Sequence, residues 1–239
     1  MSGRIIRPEE TALLDFPEVG RIKIGAKSEK GYPMSLDYFR PVGKYAGLFT
    51  QALGDKPQTI QIIFTDDSPE LVCNEHYEFR DGAGALVADG DGREFRVWNG
   101  KARAPFSTQD YPDIMQQISQ RYNKKPRYDG DTGWDIVLTM RFIVPAVNSV
   151  VGVWRFQTKG AASSIRNIRN SFDGVQMIRG TVTNTVFDLS VQFAKSDKPG
   201  SASRFPVVTM IANDTRIDDI RAAIAPKQNL SLLLSESKK

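Results

Sequence analysis

The run EHYEFRDGAGALVADGDGREFRVW, Glu75 to Trp98, constrains the fold more than any other part of the chain. Strand-like pieces alternate there with Asp-Gly and Gly-rich steps, and those steps supply the φ > 0 positions that tight β-hairpins need. The same pattern recurs elsewhere. RIKIGAKSEKGYPMSLDYF reads as a strand from Arg21 to Gly25, a Gly-Pro-marked turn and a second extended piece. TIQIIF is a short apolar strand. WDIVLTMRFIVP sets an Ile/Leu/Met face against a Val/Thr/Arg face; SVVGVWRFQT follows a turn at Pro145–Asn148, so the two form a further hairpin. GTVTNTVFDLSVQFAK is a long strand candidate, joined through SDKPGSAS to RFPVVTMIA.

Helical periodicity appears between these runs. Tyr45, Leu48, Phe49 and Leu53 share a face, with Gly54 as the stop. YPDIMQQISQRYNKKP is a helix with Pro112 near its start and Pro126 beyond its end. After Gly160, Ile165, Ile168, Phe172 and Val175 line one face, with Ser163 or Ser164 as N-cap. A last helix is expected over Asp214 to Ala225. Strands in hairpin order with a few inserted helices make an α+β chain, mainly antiparallel β-sheet, and not a doubly wound parallel sheet. The expected organisation is an N-terminal arm (1–20), a single α+β domain (21–225, with a subdivision point near 100–130) and a C-terminal tail (226–239).

At 239 residues the chain can bury a sizeable core. A net charge of +4 is too mild for a histone-like or polybasic partner, but its distribution is uneven. Thr65 to Glu94 holds nine acids and two bases, whereas Val150 to Gly180 holds five bases and one acid. Such a chain can turn one face to an anionic partner, or the two segments can pair with each other. One cysteine, Cys73, excludes an internal disulfide and fits a reducing cytoplasm. No window approaches the roughly 18 apolar residues of a membrane span, and the first residues lack a signal-peptide core. The expected setting is the cytoplasm of a bacterial host, without membrane contact.

Four groups of residues invite a functional reading. In TKGAASSIR the Lys precedes a single Gly, so the phosphate-binding loop G-x-x-x-x-G-K-[ST] is absent. What remains is a helix start with Arg155, Lys159, Arg166 and Arg169 nearby, which could hold an anion or a macromolecular partner. The plainer reading is a capped helix with a solvated basic face. RYNKKPRY interleaves Arg121, Lys124, Lys125 and Arg127 with Tyr122 and Tyr128, as single-stranded nucleic acid prefers, although basic residues also suit a helix C-terminus. ADGDGREF and YDGDTGWD lack the ligand spacing of a calcium loop and read better as turns. Cys73 and His76 have half the spacing of a zinc site, with no second pair. With one histidine and no nucleophile, cofactor or metalloprotease motif, the chain reads as a non-enzyme using no cofactor. A nuclease built on scattered Asp and Glu would leave no local signature.

Two blocks together carry a resemblance. IQIIFTDDSPELVCNEHYEFRDGAGALVADGDG and, later, LTMRFIVPAVNSVVGVWRFQTKGAASSIRNIRN are similar, in this order, to segments of the recombination directionality factors that some phages pair with large serine integrases. Relatives on other mobile elements are often labelled only as hypothetical or metal-binding proteins, and the resemblance implies a zinc site, since many relatives carry a cysteine cluster after the Gly-Asp-Gly. Here REFRVWNGKARAPFSTQDYP stands in that place without a cysteine, a departure that sets this chain apart from the metal site the resemblance implies and leaves Cys73 and His76 as its only candidate remnants. The resemblance implies a non-enzymatic phage or mobile-element protein that binds a large serine integrase, with DNA as a further contact, and favours excision over integration. On that reading Arg155, Lys159, Arg166 and Arg169 are the partner-binding candidates. The alternative is a single-stranded nucleic-acid-binding protein of a phage recombination or replication system, using Arg121 to Tyr128.

Overall fold

Prolines mark the borders of the sheets. The computed structural model describes residues 16–122, 131–195 and 203–213. In them an eight-stranded sheet runs in the order β2-β1-β9-β8-β4-β5-β6-β7, and a three-stranded sheet in the order β11-β10-β3. The strands are β1 (Glu18–Lys27), β2 (Pro33–Val42), β3 (Thr59–Ile63), β4 (Cys73–Arg80), β5 (Leu86–Gly90), β6 (Glu94–Trp98), β7 (Arg103–Ser107), β8 (Trp134–Phe142), β9 (Val153–Thr158), β10 (Val186–Lys195) and β11 (Arg204–Ala212). Three of the four outer strands, β2, β7 and β11, contain proline, and no inner strand does. Proline lacks the N–H that an inner strand must donate, so it is tolerated only at an edge.

The fold is α+β and mainly antiparallel. The hairpins expected around the Asp-Gly steps are β4–β5 and β5–β6, and β8–β9 is the hairpin expected across Pro145–Asn148. Non-consecutive strands also pair, antiparallel in β4–β8 and β3–β10, and one pairing is parallel: β1 lies beside β9. Two glycines permit it. A Cβ on Gly152 would stand 2.5 Å from the Pro17 carbonyl oxygen, and one on Gly20 would stand 2.5 Å from the Trp154 ring. The Val153 N–H donates to the Pro17 carbonyl at 2.9 Å, which anchors the register. The Gly-Val-Trp of the second block is thus a packing motif.

Among the described residues four α-helices accompany these strands: α1 (Ala46–Leu53), α2 (Pro69–Val72), α3 (Ile114–Arg121) and α4 (Arg166–Arg179). Helix α1 ends at Gly54, whose φ of +84° suits glycine. Helix α4 buries Ile168 and Phe172 as its periodicity predicts. Its start differs from expectation. A π-helical turn, Ala161–Ile165, precedes it, Gly160 is the N-cap, and no side chain caps it. Ser164 is buried instead, and its hydroxyl accepts the Val208 N–H at 3.0 Å. That bond covers the outer edge of β11.

Both sheets enclose the larger core. Trp154 and Phe156 of β9 and Leu138, Met140 and Phe142 of β8 meet Ile60, Ile62, Phe187, Leu189, Val208 and Met210 of the smaller sheet. Edge-to-face ring pairs tie it together, with Phe49–Trp154 and Phe64–Phe172 both at 5.1 Å. Each such pair contributes about 0.5–1.5 kcal/mol beyond its area. A second core joins Phe79, Val87, Phe95, Val97 and Trp134 to Ile114 and Ile118 of α3. The Trp134 indole N–H donates to the Met115 carbonyl at 3.0 Å, so the buried ring is satisfied. The stretch without cysteines is therefore β6, a turn, β7 and the approach to α3, and it closes this core with apolar side chains.

The expected helix at 214–225, the tail, arm residues 1–15, residues 196–202 of the linker, and Lys124, Lys125, Arg127 and Tyr128 lie outside the described residues. No helix among the described residues is long and apolar enough to cross a membrane.

Candidate docking surface

Alternation along the strands decides which side chains reach solvent. With Trp154, Phe156, Leu138 and Met140 turned into the core, Arg155 and Gln157 of β9 and Thr139 and Arg141 of β8 occupy the opposite face. Register carries that face across the sheet. Thr139 stands opposite Asn74, Val137 opposite His76, Asp135 opposite Glu78, and Glu78 opposite Asp89. Three carboxylates thus lie in a row on adjacent strands, an arrangement that repels itself unless each is neutralised.

Each of the three has a base. Lys159 Nζ lies 2.7 Å from Asp135, and Arg80 lies 2.9 Å from Glu78, whose other oxygen is 3.3 Å from His76 Nε2. Asp89 binds Arg96 tightly and Arg103 at 3.4 Å. Burial alone would raise the pKa of Glu78, but hydrogen bonds from His76 and Arg80 outweigh it and hold the carboxyl below its ordinary range. The Asp-Gly-Asp-Gly run ends in a turn. Asp91 accepts the N–H groups of Arg93 and Glu94, both at 2.7 Å, and Gly92 has a φ of +97°.

The Asp-Asp-Ser-Pro-Glu motif is a clasp. Asp67 accepts the Thr181 hydroxyl and the N–H groups of Val182 and Thr183, and Gln176 of α4 donates to the Asp67 carbonyl. Burial opposes ionisation there, yet the Thr181, Val182 and Thr183 bonds outweigh it and lower the pKa. Neighbouring Asp66 accepts the Ser68 N–H, and Pro69 opens α2. The first of the two blocks is thereby bolted to the end of α4 and the turn that follows it.

The sequence-predicted cations divide between different surroundings. Arg155 and Lys159 line a groove of about 970 Å³ along β1 and β2, with Arg21, Lys23, Lys27 and Arg40 as its other bases and no acid among the described residues of its wall. Arg155 lies 3.2 Å from Glu18, which also binds Arg21 at 2.9 Å. Arg169 instead borders a depression of about 390 Å³ with Glu70, Glu75, His76 and Asp91; it donates to the Cys73 carbonyl and lies 3.3 Å from Asp173. Arg166 is exposed on α4. The four do not form one cluster. The acidic and basic segments do not neutralise each other wholesale, because Glu78 and Asp89 take partners from β4, β6 and β7. Of the nucleic-acid candidates, Arg121 and Tyr122 lie at the end of α3, the guanidinium 5.9 Å from the Tyr122 ring centre, and that ring packs on Phe79.

Sequence reading missed Arg21, Lys23, Lys27 and Arg40. The signal was present in RIKIGAK, where Arg21 and Lys23 alternate with Ile22 and Ile24. Cys73 and His76, three apart in one strand, point to opposite faces. Burial pushes the Cys73 thiol up to about 12, as for a core side chain. They do not fit a shared metal, and among the described residues no group of three or more His, Cys, Asp or Glu side chains is placed to hold one.

A family model described as Gp3-like, recombination directionality factor-like, matches residues 19–213. That span takes in the strands and helices described above, short only of Glu18 at the start of β1. The chain belongs to this family. No curated protein and no solved structure matches it significantly.

Proposed function

We propose that this protein is a phage or mobile-element recombination directionality factor that docks on a large serine integrase and favours excision of the element over its integration. The observation that carries the reading is membership of the directionality-factor-like family over residues 19–213. The role is not enzymatic. A protein that binds one arrangement of the integrase–DNA complex more tightly than the other shifts their equilibrium by that difference in affinity, and needs a shaped surface to do so. About tenfold discrimination corresponds to roughly 1.4 kcal/mol, within the reach of a few interface contacts. Arg155 and Lys159 in the groove, Arg166 on α4 and Arg169 beside the acidic depression are the proposed contacts from the basic segment.

Purified integrase incubated with paired attachment sites tests the reading. Adding this protein is expected to turn on recombination between the two hybrid sites that flank an inserted element, and to suppress recombination between the original pair. Co-purification with the integrase is expected in the absence of DNA. Unchanged direction of recombination together with no complex sinks the proposal.

A further inference from the structure

The groove along β1 and β2 combines positive charge with apolar side chains. Six cations line it, Arg21, Lys23, Lys27, Arg40, Arg155 and Lys159. Two carboxylates answer them among the described residues: Glu18 serves Arg21 and Arg155, and Asp135 serves Lys159. Lys23 and Lys27 are exposed. Arg40 donates to the Gly25 carbonyl, while its Nε is buried without a hydrogen bond; the Nε of Arg155 faces the Glu18 carboxylate at 3.2 Å. Between the cations the wall is apolar, with Ile22, Ile24, Pro33, Met34 and Pro206. Met34 is a large hydrophobic residue left exposed at this wall. The β1–β2 register shifts between Lys23 and Gly25, so the ribbon is irregular where the groove lies.

We propose that this groove docks an extended acidic segment of a protein partner, one that carries apolar residues between its carboxylates. The inference rests on the reading above that the protein works by protein contact, and it specifies the chemistry of that contact. In an extended segment successive side chains point to opposite sides, so carboxylates meet the Lys23, Lys27 and Arg40 side while apolar residues cover Met34 and Pro206. Guanidinium groups suit carboxylates because their donors match both oxygens. Duplex DNA fits less well. Its interfaces are strongly polar and cover broad protein surfaces, whereas this groove sets Ile24, Pro33, Met34 and Pro206 between its cations.

The test uses the full-length protein, the double variant Lys23→Glu/Lys27→Glu, and Lys101→Glu on the β6–β7 turn as a control outside the groove. The first probe is a fluorescein-labelled peptide of roughly twelve residues alternating Glu with Leu or Val, and the second is a DNA duplex of about 20 base pairs. Fluorescence anisotropy is expected to show peptide binding by the wild type and Lys101→Glu, weakened at least about tenfold in the double variant, with little displacement by the duplex. Equal peptide affinity in wild type and double variant overturns the proposal, as does preference for the duplex or failure of the wild type to bind the peptide. Integrase retention is read in parallel. A wild type that binds the peptide but retains no integrase defeats the directionality reading and leaves the groove. A double variant that retains integrase at full strength defeats the groove and leaves the directionality reading.

Discussion

Glu78 sits at the centre of a row of carboxylates, with Asp135 on one neighbouring strand and Asp89 on the other. It is 4 % exposed, so it is tolerated only because Arg80 and His76 reach its two oxygens. Its folded pKa lies below the ordinary 4.5. The sign follows from linkage: the unfolded chain binds a proton at a pH where the folded chain does not. The stabilisation is therefore complete above about pH 5, and it is lost as the pH falls through the folded value. Replacing Glu78 by Gln should cost about 2 kcal/mol at pH 7, because Arg80 loses a charged acceptor. It should also flatten the decline in stability below pH 5. Urea midpoints at pH 7, 5, 4 and 3 check both effects; a variant that keeps the wild-type slope removes Glu78 from the acid response. The sequence displayed the acidic excess from Thr65 to Glu94 but not its compensation. Arg96 and Arg103 are 7 and 14 positions from Asp89, and only the β5-β6-β7 register brings them to it.

Among the elements, β11 depends most on a neighbour that sequence could not supply. It is an outer strand, and an outer strand exposes unpaired backbone groups. Pro206 removes one donor, and the Ser164 hydroxyl takes the Val208 N–H. Ser164→Ala should leave that buried N–H without an acceptor and cost about 1–3 kcal/mol. Hydrogen exchange at Val208 should accelerate more than at β10 amides, which keep partners on both sides. Protection at Val208 equal to wild type would show that another group covers this edge. Element types were legible because period-two and helical patterns are local, and the α4 face was read correctly from Ile168 and Phe172. The serine's role was not. A serine before a helix looks like an N-cap, and the π-helical turn that carries it into the core follows from contact with β11, more than 40 residues further on. The short strand β7 escaped for a related reason, since RAPFS contains a proline and earns strand character only from pairing with β6.

Across the whole molecule, two hydrophobic cores share one sheet, and the sharing has a mechanical consequence. Strand β8 sends Trp134 into the second core and Leu138, Met140 and Phe142 into the first; β4 does the same with Phe79 and Cys73. The two strands pair without interruption from Cys73↔Met140 to Phe79↔Trp134. Losing either core frees side chains on strands that the other needs, and the ladder between them has no break at which one half could separate. The expected single domain thus becomes a statement about cooperativity. Trp134 reports on the second core and Trp154 on the first. In two variants, each retaining one of these tryptophans with the other and Trp98 replaced by Phe, the two emission changes are expected to share a urea midpoint, once the stability cost of each replacement is measured by far-ultraviolet circular dichroism on the same samples. A Phe95→Ala change, which opens a cavity beside Trp134, should then lower both midpoints together by an amount matching about 3–5 kcal/mol. If only the Trp134 transition moves, the β4–β8 ladder does not transmit the loss, and the segment around α3 unfolds as a unit of its own.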